Sequence, residues 1–426
     1  MDFNHYVTDC SKKGKLVVQP RMGFSDYNLM REGLMRVMNA NACTVGTITL
    51  DSYTRVNDLD SAQKALDAGL ALNGFPIINY GPNRTAELTQ DLLNSGFPIQ
   101  VRHGSSLPVH IFECLIESGL IATEGGPISY CLPYSRTPLS EAVEAWRKSA
   151  ILSANAPNQV HIESFGGCML GQMCPPSLLL ALDILECMFF EQCGLDTMSL
   201  SYAQQTSLQQ DIAAVKALRQ LGNKYLKCKN WHIVAYTYMG VYPKSETGAL
   251  RLLKDSVELC YYGGAERLIV KTIVESQRIP TIDENILSLE TASAHWDLLS
   301  KRHDNVDIYD QQSLDLIHEI ASEASVLIDA VLDLNADIGQ ALTHAFSLGL
   351  LDVPYCLHQS NANKARAYIA SNGMLQWQSV GNMPIKSALS FDDDSKFDPF
   401  AFLEMLSTVE KKYDAILIEE QTAQIK

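Results

Sequence analysis

Three arginines, Arg21, Arg55 and Arg102, each stand at the end of a short apolar run: Leu-Val-Val-Gln-Pro before Arg21, Thr-Ile-Thr-Leu-Asp-Ser-Tyr-Thr before Arg55, and Phe-Pro-Ile-Gln-Val before Arg102. Each run reads as a buried strand, so the guanidiniums emerge at strand exits. Spacings of 34 and 47 residues between them suit one or two strand–helix units. In a closed parallel barrel all strand exits face one mouth, where active sites are built. Three planar, permanently charged forks at one mouth fit a ligand with more than one carboxylate or phosphate. Taken singly, each arginine is equally compatible with a surface ion pair.

The segment Thr123–Tyr134 reads Thr-Glu-Gly-Gly-Pro-Ile-Ser-Tyr-Cys-Leu-Pro-Tyr. Glu124 follows an apolar strand and precedes two glycines, so its carboxylate lies beside exposed backbone. There it either neutralises an arginine or accepts a hydrogen bond or proton from a substrate ammonium. Tyr130 and Tyr134 add phenols, with Pro133 stiffening the loop. Lys271 ends the apolar run Leu-Ile-Val-Lys, and Glu275 follows four residues on. An ion pair, a Schiff-base amine and a polar clamp on a nucleoside sugar all fit that pair. His103, beside Arg102, fits either a packed ring or a ligand contact.

These residues need a scaffold, and the chain supplies its signature. Runs of four to six apolar residues alternate with helix-periodic stretches, the pattern of β/α units around a parallel sheet. Nine candidate strands lie near 16–19, 44–50, 76–79, 98–102, 120–123, 160–164, 197–201, 232–236 and 268–271. A barrel has eight staves, so either Pro76–Asn79 or Leu120–Thr123 is expected outside it. Helices are expected at Glu141–Ser153, Ser177–Glu191, Gln209–Leu221 and within Pro243–Tyr261. Residues 1–300 form the barrel in this reading, and 301–426 a smaller, mainly helical C-terminal domain packed on it. That part holds helices at Asp310–Leu334 and Asp337–Leu351, an Asn-Gly turn at 372–373 and an acidic patch at Asp392–Asp394.

Formal net charge is −16, which disfavours nucleic acid and anionic membranes as partners and sets the arginines against an acidic background. The longest apolar stretch, Leu178–Phe190, is broken by Asp183 and Glu186, so no transmembrane helix is expected. The polar N-terminus lacks the apolar core of a secretory signal. Eleven cysteines without a Cys-x-x-Cys pair read as reduced thiols in a cytoplasmic protein, with no metal site.

An ordered set of motifs carries a resemblance over nearly the whole chain. It comprises Gln-Pro-Arg at 19–21, Thr-Leu-Asp-Ser-Tyr-Thr-Arg at 49–55, Leu-Asn-Gly-Phe-Pro at 72–76 and Arg-His-Gly at 102–104. Glu-Gly-Gly-Pro-Ile-Ser-Tyr-Cys-Leu-Pro-Tyr at 124–134, Pro-Pro-Ser at 175–177, Gln-Asp-Ile-Ala-Ala at 210–214 and Ile-Val-Lys-Thr at 269–272 follow. Together they resemble the large (epsilon) chain of glutamate mutase, also called methylaspartate mutase. The resemblance implies an isomerase on a (β/α)8 TIM-type barrel. Its reaction would be the adenosylcobalamin-dependent radical interconversion of L-glutamate and (2S,3S)-3-methylaspartate.

By the same resemblance, Arg21, Arg55 and Arg102 grip the substrate carboxylates. His103, Glu124, Tyr130 and Tyr134 complete the substrate shell, Glu124 acting catalytically on the amino group. Gly23, Asn73, Pro133, Tyr242, Lys271, Glu275 and Ile279 match cofactor-contacting positions, Lys271 and Glu275 meeting the ribose, which removes the Schiff-base alternative. None of the ten histidines has an aspartate two residues before it, so the Asp-x-His-x-x-Gly cobalt-ligand motif is absent. The implied partner is therefore a separate small cobalamin-binding (sigma) subunit, with two copies of this chain in a heterotetramer. Three departures stand out: Tyr236 where the family has histidine, Tyr242 where it has phenylalanine, and Ser201–Ser207 in place of a glycine-rich loop. The same rearrangement on another amino dicarboxylate, and a non-catalytic diacid-binding barrel, stay open as alternatives.

Overall fold

A computed structural model describes residues 2–169, 173–301, 311–386 and 399–415. In chain order the strands are β1 (Val17–Pro20), β2 (Cys43–Thr44), β3 (Gly46–Thr49), β4 (Ile99–Arg102), β5 (Ala122–Glu124), β6 (His161–Glu163), β7 (Met198–Ala203), β8 (Trp231–Tyr236) and β9 (Arg267–Val270). β2 pairs with β1 and β3 with β4, so the run broken only at Val45 is one stave bridging the two. Each later strand pairs in parallel with the next, and β9 returns to β1. Eight staves thus close a parallel barrel.

The ninth candidate, Pro76–Asn79, is the one outside. Its isoleucines open the helix Ile77–Asn94, with Ile77 buried on that helix, and only Phe75 touches the sheet, through a bridge to Leu50. A four-residue apolar run cannot tell a strand from the first turn of a buried helix. Leu120–Thr123 contributes stave β5.

The barrel interior carries a polar layer. Gln19, Thr47, Gln100, Glu163, Ser199 and Arg267 are all fully buried there and bonded to one another. The helix Phe3–Lys12, capped by the Asp2 carboxylate, closes the base. Its Phe3 ring lies 4.8 Å from His161 and 5.1 Å from the Arg267 guanidinium carbon.

Past residue 310, the helices Gln311–Leu332 and Ile338–Leu348 pack on the outer helix Pro176–Gln192 and join the barrel's hydrophobic cluster. That cover explains why Pro176–Gln192 is buried on nearly every side. A hairpin of β10 (Arg366–Ile369) and β11 (Leu375–Ser379) turns at Gly373 and is docked through Gln210, whose amide bonds Leu375 in both directions at 2.9 Å. Asp392–Asp394 lies outside the described residues. No described helix is long and apolar enough to cross a membrane.

Candidate active site

At the C-terminal ends of the staves, Arg21 follows β1, Arg102 ends β4, Glu124 ends β5, Tyr236 ends β8 and Lys271 follows β9. Arg55 arrives one turn later. Asp51 caps the helix Ser52–Arg55, accepting from the Tyr53 and Thr54 amides at 2.9 and 3.0 Å, which brings Arg55 back over the barrel. Burial lowers the Arg55 pKa, and the fields of Tyr130, Arg102, Glu124 and Arg21 all act on it, so the three arginines share one site.

How the arginines use their donors separates them from a structural arginine. Arg267 bonds through Nε and both Nη nitrogens. Arg21 gives Nη1 to Glu275 at 3.2 Å, Arg55 gives Nε to the Leu50 carbonyl at 3.0 Å, and Arg102 gives Nε to Glu124 at 2.7 Å. Among the described residues their remaining guanidinium donors have no partner, and Arg55 has no acid within ion-pair distance. A guanidinium with spare forks and excess charge is able to receive a carboxylate.

Glu124 is the acid at the centre. It accepts from Arg102 Nε, from the Tyr130 hydroxyl and from the Tyr236 hydroxyl at 2.8 Å. Burial pushes its pKa up, but the Arg102 charge and these three donors outweigh burial and hold it below the ordinary value. Burial opposes the Arg102 charge likewise, and Glu124 with the Tyr236 and Tyr130 phenols more than offsets it.

The loop after Glu124 is fixed from behind by Glu186. Its carboxylate accepts from the Ile128 and Ser129 amides at 2.9 and 2.8 Å and from the Ser129 and Ser164 hydroxyls. A Cβ at Gly126 would lie 2.1 Å from that carboxylate, which is why glycine stands there. Asp183, one turn earlier, holds the Gly167 and Ser201 amides, and so the start of the 201–207 segment. Sequence reading met both acids only as interruptions of an apolar run.

His103 is buried in an aromatic cage. Its ring stacks on Trp146 at 5.6 Å and meets Tyr130 edge-on at 5.3 Å. Nδ1 accepts from the Ser105 amide, and burial, reinforced by Arg55 though opposed by Glu124, pushes the pKa down to about 3, leaving a neutral ring. His103 therefore backs Tyr130. Tyr134 is half exposed, its ring 6.0 Å from that of Tyr130.

On the opposite side, Glu275 takes Arg21 and lies 3.8 Å from Lys271 Nζ, which sits 5.0 Å from the centre of the Tyr242 ring. Burial, then Arg21, lower the Lys271 pKa to about 8 against the pull of Glu275. Among the described residues the Tyr242 hydroxyl and Thr272 Oγ1 are buried without partners. An unpaired buried hydroxyl, that of Tyr242, beside an amine and a carboxylate fits a hydroxyl-rich ligand, as a nucleoside is. Tyr242 is backed by Val409 and Tyr413 of the C-terminal segment. Gly23 lies against the Thr49 carbonyl, 2.2 Å from where a Cβ would stand, and Asn73 holds its loop by accepting from the Ser52 amide at 2.9 Å. Pro133 is half-buried and Ile279 is exposed.

One further polar side chain, Glu163, escaped sequence reading as part of the site, and Tyr236, read from sequence only as a departure from the family near the cofactor, also reaches Glu124. Glu163, ending β6, and the Tyr236 hydroxyl bond to each other beneath Glu124. An acid in the last position of a strand was the only signal for Glu163. A cavity of about 950 Å³ opens at the barrel's other end, between Phe97, His161 and Asn230, and holds none of the arginines.

Residues 1–399 match the family of the methylaspartate mutase E chain (MutE). The glutamate mutase epsilon subunit of Escherichia coli O157:H7 is 28% identical over 400 residues, covering 90% of this chain and 81% of that protein. That of Haloarcula marismortui is 30% identical over 351 residues, covering 80% and 70%. Among solved structures, dihydrodipicolinate synthase from Agrobacterium tumefaciens str. C58 overlaps 80% of this chain and 99% of its own at 12% identity. Its TM-score of 0.37 is too low to add to the barrel read from strand pairing. With a family model spanning nearly its whole length, the chain belongs to the methylaspartate mutase E chain family.

Proposed function

We propose that this chain is the substrate-holding large subunit of an adenosylcobalamin-dependent mutase that interconverts L-glutamate and (2S,3S)-3-methylaspartate. The observation that carries the reading is the three arginines with spare donors grouped round one ionised glutamate. An amino dicarboxylate complements that arrangement: its carboxylates take the forks of Arg21, Arg55 and Arg102, and its ammonium takes Glu124. Tyr130, Tyr134 and His103 complete this wall. Anchors at both ends of the substrate keep two fragments in place while a carbon–carbon bond is exchanged. Burial of the polar floor keeps water out.

Lys271, Glu275, Tyr242, Gly23, Asn73, Pro133 and Ile279 would hold the cofactor, whose cobalt–carbon bond supplies the radical when bound. Val56, Tyr134, Val241 and Ile279, one from each loop after β3, β5, β8 and β9, are exposed apolar side chains around the mouth. They suit a small cobalamin-binding partner seated on this face, in a heterotetramer with two copies of this chain. The test is conversion of glutamate to 3-methylaspartate with adenosylcobalamin and a cognate small subunit. Turnover of another amino dicarboxylate alone would move the substrate and keep the site. Diacid binding without turnover would leave only a receptor.

A further inference from the structure

The Tyr236 hydroxyl stands between two buried carboxylates, 2.8 Å from Glu124 Oε2 and in contact with Glu163 Oε1. A phenol has one hydrogen and two lone pairs, so it donates to one carboxyl group and accepts from the other. With both acids ionised, one of these contacts would have oxygen facing oxygen and no proton between them. The other partners of each oxygen say which acid carries the extra hydrogen. Glu124 Oε2 already takes Arg102 Nε–H at 2.7 Å, so a proton there would set donor against donor, and Oε1 takes the Tyr130 hydroxyl. Glu163 Oε2 takes Arg267 Nη2 and Gln100 Nε2, with Ser199 Oγ at 3.4 Å. Among the described residues Glu163 Oε1 has Tyr236 alone. It is the one oxygen of the four on which a hydrogen meets an acceptor without displacing a donor.

We propose that Glu163 is a neutral carboxylic acid in the resting protein and donates to Tyr236, which donates to Glu124. Tyr236 is then a positioning residue that keeps Glu124 ionised and fixed beneath the mouth. One hydrogen lies in each of the two bonds of the row Glu163–Tyr236–Glu124, and the row carries a single negative charge, on Glu124. Arg267 does not require an ionised Glu163. It reaches five acceptors, Glu163 Oε2, Gln19 Oε1, Gln100 Oε1, Ser199 Oγ and His232 Nε2. The other titratable groups facing the row are Arg55, Arg102, His103, Tyr130, Tyr134 and Cys168, with Asp183 behind Cys168.

The proposal rests on the mutase reading only for its use, so its test is made on the ligand-free chain. Glutamine has the shape of a neutral glutamic acid: in Glu163→Gln the amide nitrogen donates to Tyr236 and the amide oxygen accepts from Arg267. The expected result is a protonated-carboxyl stretch in the neutral-pH infrared spectrum of the wild type. It should vanish in Glu163→Gln, shift in Tyr236→Phe, and leave the melting temperature of Glu163→Gln at the wild-type value. In the assembled enzyme Tyr236→Phe should lower kcat more than it changes KM. A wild-type spectrum without a band sensitive to Tyr236→Phe overturns the proposal, as does a Glu163→Gln chain that melts far lower or does not fold, because both mean an ionised Glu163 paired with Arg267. The band without glutamate turnover would sink the mutase reading and leave the row standing, and turnover without the band would do the reverse.

Discussion

If the arginines grip a substrate as proposed, Arg55 is the one whose loss isolates binding, because the protein uses so little of it. Among the described residues its one side-chain hydrogen bond goes through Nε to the Leu50 carbonyl, and no described acid pairs with it. Arg55→Lys keeps the charge and loses the fork, so kcat/KM for glutamate should fall on the order of 30- to 150-fold. Thermal stability should hold, which calorimetry checks; wild-type kinetics would remove Arg55 from the substrate grip. Lys271 presents the opposite balance. Its folded pKa of about 8 lies below the ordinary 10.5, so below pH 8 the fold carries a buried charge at a cost. As pH rises from about 8 to 10.5 the folded amine gives up its proton while the unfolded one keeps it, and the cost is relieved. Lys271→Met should therefore melt higher at pH 7, by roughly 1–3 kcal/mol, with the gain fading towards pH 10.5. The same variant should bind adenosylcobalamin more weakly in the assembled enzyme. In the wild type that affinity should drop as pH passes about 8, measured by titration at fixed small subunit.

At the scale of elements, the site depends on one helix turn holding two loops. Glu186 and Asp183 lie three residues apart on Pro176–Gln192, and their carboxylates hold the 126–129 turn and the 167 and 201 amides. Gly126→Ala would drive a methyl into the Glu186 carboxylate and displace it from both amides. Stability should fall by about 2–3 kcal/mol, from overpacking and stranded buried donors. Because Tyr130 rides on this turn, kcat/KM should fall further than the lost folded fraction accounts for. Chemical denaturation and kinetics on the same preparation separate the two effects. Helix and strand positions were legible at this scale: Gln311–Leu332 and Met198–Ala203 lie within a few residues of the periodic pattern. Pro76–Asn79 was not, since four apolar residues carry no period.

For the whole molecule, a mouth that holds cobalamin as proposed would be incomplete in this chain alone. No histidine of the chain has the cobalt-ligand motif, and the exposed Val56, Val241 and Ile279 border the mouth. The isolated chain should bind adenosylcobalamin weakly. Addition of a small subunit should produce saturable binding and activity that depends on the subunit ratio. Tight cobalamin binding by this chain alone, by equilibrium dialysis, would contradict the two-subunit reading.

The sequence by itself determined the barrel, because strand–helix alternation is a local periodicity. It also placed Arg21, Arg102, Glu124 and Lys271 at the mouth, because the end of a strand is a local event. Only the tertiary structure decided what each of them touches. Closure of eight staves brings Tyr236 against Glu124 and Glu163, over 112 and 73 residues of chain, and Arg21 against Glu275, over 254. It also decided which charges are spent on the protein: Arg267, which ends no apolar run, is wholly consumed, while Arg55 is nearly free. A sequence carries the type and order of charged groups. Their pairing and desolvation, which set whether a guanidinium holds the fold or a ligand, arise from the distances that closure imposes.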